Sequence, residues 1–333
     1  MIAGLYSLFL IILSIFILNI LRIKNIQIGG KGFSLSDTAI LKGIAIMMVV
    51  IGHIGQAIPG LRIFTPLGAM GVGVFLLCSG YGIEKSFEKN KRQKYWYKRI
   101  VNVWLPYAII ELLALPIHLE MGWQAILKDF TLIQPLHPFG WYMRFLFVWY
   151  ILYYVFSWAD KYKLLLLNLA AFIVYVAFDS LHAQNAFSFA IGVAMAQIRT
   201  IENLWKKRYI WIGLAMSVLL FFTRDYVKNN YQDMHLLWNT VSLLYYVALI
   251  MTVVIGYKTL SVENVNFPYT GVAIIGDFSY ELYLTHGYAY QVLITPASII
   301  MVTKFVLICI TSTYLLHKLN HLIINMINKQ ICQ

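Results

Sequence analysis

Residues 39–58 read AILKGIAIMMVVIGHIGQAI, twenty positions of which only Lys42 and His53 are ionisable. A helix of that length spans about 30 Å, the hydrocarbon thickness of a bilayer. Comparable apolar stretches recur at 2–21, 67–83, 100–117, 141–158, 164–178, 186–198, 209–223, 237–257, 271–292 and 298–317, eleven candidate spans in all. The predicted fold class is an all-α, polytopic membrane helical bundle. Composition agrees: 60% of the 333 residues are hydrophobic and 12% charged, against roughly 45–50% and about 25% in a soluble globular domain. A water-soluble single-core protein is excluded.

Residues 2–21 have no basic residue before them and no small-residue cleavage site after them, so they read as a retained first helix. The longest connection, 118–140, carries Pro135 and Pro138 and is too short to separate one domain from another. Cys78, Cys309 and Cys332 are scattered and show neither a disulfide framework nor a metal pattern.

Loop charge tests the span count, because cytoplasmic loops concentrate Lys and Arg. Of the 26 basic residues, nineteen fall in one alternating set of loops and four, Arg62, Lys128, Arg224 and Lys228, in the other. That asymmetry predicts an outside amino terminus and a cytoplasmic carboxyl terminus. The net charge of +12 is thereby a feature of membrane topology, and no nucleic-acid partner is expected.

An ionisable side chain inside a span costs on the order of 2.5–3.5 kcal/mol on insertion scales, which makes each a functional candidate. Lys42 and His53 stand eleven residues apart, three turns plus roughly 20°, so they share a helix face about 16 Å apart along the axis. A snorkelling lysine and an interhelical histidine fit the same spacing. Ser279, Tyr283 and His286 repeat at i, i+4 and i+7 and form one polar stripe. Glu111, Trp141, Tyr142 and Arg144 lie at a depth suited to an outward-facing cavity around His53, although a Trp-Tyr-Arg group also suits an interfacial anchor. Residues 67–82, LGAMGVGVFLLCSGYG, carry the small residues of close helix packing.

The connection 84–99 holds seven basic residues and two acids. Topology explains their sign and not their density. Several Lys and Arg side chains close together suit a polyanion such as a phosphate-bearing cofactor, held by charge-assisted hydrogen bonds.

Four segments together resemble the acyltransferase type 3 family of integral membrane acyltransferases. KGIAIMMVVIGH (Lys42 to His53) is similar to the family's opening helix, in which a basic residue, usually Arg, precedes a histidine by eleven positions. GVGVFLLCSGYGI (Gly71 to Ile83) resembles its glycine-rich helix, YWYKRIVNVWLP (Tyr95 to Pro106) its basic segment before a proline, and IGDFSYELYLTH (Ile275 to His286) its late Ser-Tyr-x-x-Tyr-Leu-x-His element. Lys42 replaces the usual Arg, and Val103 stands where a second Arg often precedes the proline, so only Arg99 carries over from that pair.

The resemblance implies a ten-helix acyltransferase core over 36–333, with 1–35 an extra N-terminal transmembrane helix and cytoplasmic linker. It implies O-acetyl transfer from cytoplasmic acetyl-CoA, with no metal, to a hydroxyl of an extracytoplasmic surface carbohydrate or lipid-linked sugar, in a cell membrane, a bacterial plasma membrane being expected. On that reading His53 and Lys42 are catalytic. Arg99, Lys98, Arg92 and Lys42 bind the donor, with Arg99 the main contact. Trp141, Tyr142, Arg144, Glu111, Tyr283 and His286 sit on the acceptor side. The rival expectations are a transporter or flippase of a glycolipid or small metabolite, for which intramembrane charges also mark a path, and a non-catalytic membrane partner of a glycan-assembly complex.

Overall fold

The computed structural model describes residues 10–15, 17, 30, 32–198, 201–231, 233–263, 269–293 and 299–331, and every regular element among them is helical. The first long helix, α1 (Leu35–Ala57), starts on a reciprocal cap. The Ser34 side chain accepts from the Asp37 amide at 3.2 Å while Asp37 accepts from the Ser34 amide at 2.6 Å. α2 (Pro66–Asn90) follows.

Then come α3 (Tyr95–Arg99), a π turn over Ile100–Trp104 and α4 (Leu105–His118). The π turn falls just before Pro106, which has no amide to donate, and the Tyr280 hydroxyl donates to the Val103 carbonyl at 2.5 Å. The remaining α-helices longer than four residues are α5 (Trp123–Phe130), α6 (Trp141–Phe156), α7 (Lys163–Ala177), α8 (Ser188–Gln197), α9 (Lys207–Asn230), α10 (His235–Val262), α11 (Tyr269–Asp277), α12 (Ser279–Ala289) and α13 (Ile299–Ile331).

Six helical stretches among the described residues are long and apolar enough to cross a membrane: Ser36–Ala57, Gly60–Asn90, Tyr95–Met121, Lys207–Asn230, His235–Val262 and Ile299–Ile327. The protein is a multi-pass membrane protein, but the expected eleven spans reduce to these six by that measure. The reason is local. The expected spans at 141–158, 164–178 and 186–198 form helices of 16, 15 and 10 residues, shorter than a perpendicular crossing requires. The expected span at 271–292 breaks at Phe278 into α11 and α12. The first expected span, 2–21, and the linker to residue 35 lie largely outside the described residues.

α1 and α2 pack side by side, with α11 on the other flank of α1 and α8 on the other flank of α2. Glycine permits these crossings: a side chain at Gly276 would strike the Ala39 carbonyl of α1, and one at Gly192 the Leu77 carbonyl of α2. Side chains at Gly71 and Gly80 of α2 would likewise strike the Ala45 carbonyl of α1 and the Phe189 carbonyl of α8, so the glycine-rich α2 is a packing surface, as its small residues suggested.

Two buried ion pairs clamp this inner group. Asp37 accepts from Lys258 at 2.8 Å and from the Tyr257 hydroxyl at 2.5 Å, tying α1 to α10. Glu84 on α2 accepts from Lys163 at 2.9 Å, from Tyr153 at 2.5 Å and from Gln197 at 3.0 Å, joining α6, α7 and α8. Lys258 and Lys163, which the charge count assigns to loops, are each 1% exposed.

Candidate functional site

His53 lies towards the carboxyl end of α1, and its orientation comes from residues far away in sequence. Its imidazole stacks on Phe139, with centroids 3.9 Å apart and planes 19° apart. Phe139 belongs to the connection between α5 and α6 and is itself held twice. Tyr283 donates to its carbonyl at 2.9 Å, and its amide donates to His137 Nδ1 at 3.1 Å.

His137 Nδ1 is therefore an acceptor, so its proton sits on Nε2 and is donated to the Leu284 carbonyl at 2.7 Å. Burial pushes this imidazole down to about 4, in keeping with a neutral ring. His286, fully buried, approaches His53 at 5.3 Å and Phe139 at 5.1 Å between centroids. Its Nδ1 donates to the Leu282 carbonyl at 3.0 Å, while its Nε2 and His53 Nδ1 are buried with no hydrogen-bond partner among the described residues. Most buried polar atoms in native proteins are hydrogen-bonded.

Three cavities follow one another through the bundle. The first, about 270 Å³, is lined by Lys98, Arg99, Lys42, Ser79, Asn102 and Tyr150 among others. The second, about 200 Å³, shares Lys42, Ser79, Asn102, Val103 and Tyr150 with the first and adds Tyr142, Ser279, Tyr280 and Tyr283. The third, about 660 Å³, shares Tyr283 with the second and contains His53, Gln56, Trp141 and Gln184. Tyr283 is 2% exposed, so the second and third cavities meet at a buried phenol. Cations mark the first cavity: Arg99 lies over the Tyr95 ring at 4.4 Å and the Tyr150 ring at 5.7 Å, and Lys98 donates to Ser86 at 3.4 Å.

The structure therefore gathers Lys42, Lys98 and Arg99 at one end of this series and His53, Trp141 and Tyr283 at the other, with Tyr142 between them and His286 behind the His53 ring. Four expected site residues line none of the three cavities: His286, which backs the His53 ring, and Arg92, Glu111 and Arg144. Arg92 donates through Nε to the Ser157 hydroxyl at 3.1 Å and through Nη2 to its carbonyl at 2.6 Å, and lies over Trp158 at 4.0 Å. It is bound into the end of α6. Glu111 accepts from Tyr288 at 2.9 Å and 2.8 Å, with His118 at 3.8 Å. Arg144 is exposed and donates to the Ile133 carbonyl at 3.3 Å. Glu281, on the same helix as His286, accepts from His317 at 3.1 Å and Asn320 at 3.2 Å on α13.

Sequence reasoning missed Phe139 and His137, which sit in a connection with no periodicity. It missed Arg62, Arg224 and Lys228 as well, which line the His53 cavity. A signal for these three existed, since they are most of the basic residues on the sparsely charged side. Among the described residues no group of His, Cys, Asp and Glu is arranged to hold a metal ion.

No curated protein and no solved structure matches the chain. A family model described as an acyltransferase domain matches residues 39–316, most of the chain, and with the four segments that resemble that family this places the protein in the acyltransferase type 3 family.

Proposed function

We propose that this membrane acyltransferase is an O-acetyltransferase, taking acetyl from acetyl-CoA at the Lys98/Arg99 end and delivering it to a hydroxyl of a carbohydrate or glycolipid at the His53 end. The main support is the run of three cavities with shared walls between a cationic end and an imidazole. The cationic end is assigned to the cytoplasm and the His53 end to the outside, with the amino terminus outside and the carboxyl terminus within. Residues 36–333 form the catalytic unit, in a bacterial plasma membrane.

Lys98 and Arg99 bind the donor's phosphates, and Arg99 is held for this by the two tyrosine rings beneath it. The pantetheine arm passes Lys42 and enters the tyrosine-lined middle cavity, bringing the thioester to Tyr283 and His53. There the acceptor oxygen attacks the thioester carbonyl carbon as His53 removes its proton. The C–S bond breaks, a C–O bond forms, and the proton passes to the CoA thiolate. A covalent route uses the same atoms: the imidazole nitrogen displaces the thiolate first, and the acceptor oxygen then displaces the imidazole from the acetyl group. Acetyl-histidine trapped by rapid quench selects the second route.

Mass spectrometry of total surface glycans tests the reading, comparing cells with the wild-type protein, without it, and with His53→Ala. Acetyl esters present only with the wild type are expected. Identical esters in all three strains would sink the proposal, and acetyl-CoA-independent substrate movement in proteoliposomes would replace it with a transporter.

A further inference from the structure

The cavity that holds His53 is cationic. Arg62 from the 3₁₀ turn Pro59–Phe64, and Arg224 and Lys228 from the end of α9, line its wall, and the lining contains no Asp or Glu. None of the three pairs with a carboxylate among the described residues.

Arg224 is the most firmly placed. Its Nε donates to Ser242 at 3.2 Å, and its guanidinium lies over Trp238 at 4.7 Å and Tyr246 at 5.5 Å. A guanidinium set on aromatic rings with further N–H groups to offer is preorganised for an oxyanion. Topology does not account for the cluster, because cationic residues are scarce on this side and three of its four line one cavity. The volume, about 660 Å³, is that of a small-molecule site.

We infer that the acceptor is an anionic glycan, a sugar or polyol whose reacting hydroxyl lies near a fixed phosphate or carboxylate held by Arg62, Arg224 and Lys228. This rests on the acetyl-transfer reading above and narrows its acceptor. The oxyanion anchors the acceptor and takes no part in bond making, so the cluster serves binding and not the chemical step.

The test uses cells carrying no copy, the wild type, or the triple variant Arg62→Gln/Arg224→Gln/Lys228→Gln, labelled with ¹³C-acetate. Extracted glycans are separated by anion exchange, and esters are located by mass spectrometry. Wild-type-dependent esters are expected in the retained fraction. Hydrofluoric acid releases that fraction from the column if the anion is phosphate, and carbodiimide reduction does so if it is carboxylate. The triple variant should lower these esters about tenfold or more, the scale of losing charge-assisted contacts, at unchanged membrane abundance and unchanged acetyl-CoA affinity. Esters confined to neutral glycans, or full acetylation by the triple variant, would overturn the inference and leave the acetyltransferase intact. No wild-type-dependent ester at all removes the reading beneath it, and the inference with it.

Discussion

The two ends of the cavity series differ in how they are built. At the narrow end the cations Lys98 and Arg99 are neighbours in one segment, and Arg99 is pressed on Tyr95 one turn away and on Tyr150. At the wide end Arg62, Arg224 and Lys228 come from places some 160 residues apart, around His53, which Phe139 orients. A compact local site suits a donor whose phosphates are always the same. A wide site assembled from loops and helix ends can change with the acceptor, as loops carried by a rigid scaffold do elsewhere.

The sharpest way to break this division is His53→Ala. If the wide end holds the chemistry, loss of the base or nucleophile costs at least about 10²–10⁴-fold in turnover, while acetyl-CoA binding by calorimetry stays near wild type. Retained turnover would move the chemistry elsewhere. Next in size is Arg99→Ala, which removes a charge-assisted contact of about 1.5–3 kcal/mol and should raise the KM for acetyl-CoA about 10–100-fold with a smaller change in kcat. A change confined to kcat would take Arg99 out of donor binding.

Phe139→Ala probes the orientation of the ring. It strips His53 of its stacking partner and leaves every cavity cation in place, so turnover should fall about 2–10-fold, the worth of an aromatic pair at about 0.5–1.5 kcal/mol, with donor affinity unchanged. An unaltered kcat would mean that α1 alone orients the imidazole.

What was legible in the residues follows the same division. Lys42 and His53 are eleven positions apart on one helix, and Lys98 and Arg99 are adjacent, so periodicity and charge density reveal them. The helices themselves were legible because apolar runs announce them; their number was not, since the short α7 and α8 and the break at Phe278 depend on packing partners. Phe139 carries no signal of its own. Its place depends on the neutral His137 and on Tyr283, 144 positions later. Basic residues mislead in the other direction: Lys163 and Lys258 look like loop charges, yet each is buried against a carboxylate.

The smallest expected effect separates charge that works from charge that only anchors. Arg92 and Arg99 belong to the same dense basic stretch, and sequence gives no reason to treat them differently. In the fold, Arg92 spends its Nε and Nη2 on Ser157 and lies over Trp158, at the end of α6 and away from the first cavity. Arg92→Ala should therefore leave the KM for acetyl-CoA within about twofold. Its effect should appear as lower thermal stability of the detergent-solubilised protein, on the scale of about 1–3 kcal/mol for the Ser157 carbonyl that loses its charged donor. The same substitution raising that KM tenfold would extend the donor site beyond the cavity and abolish the contrast with Arg99. Density of positive charge would then be the operative feature, and the placement of individual guanidinium groups in the cavity wall would not.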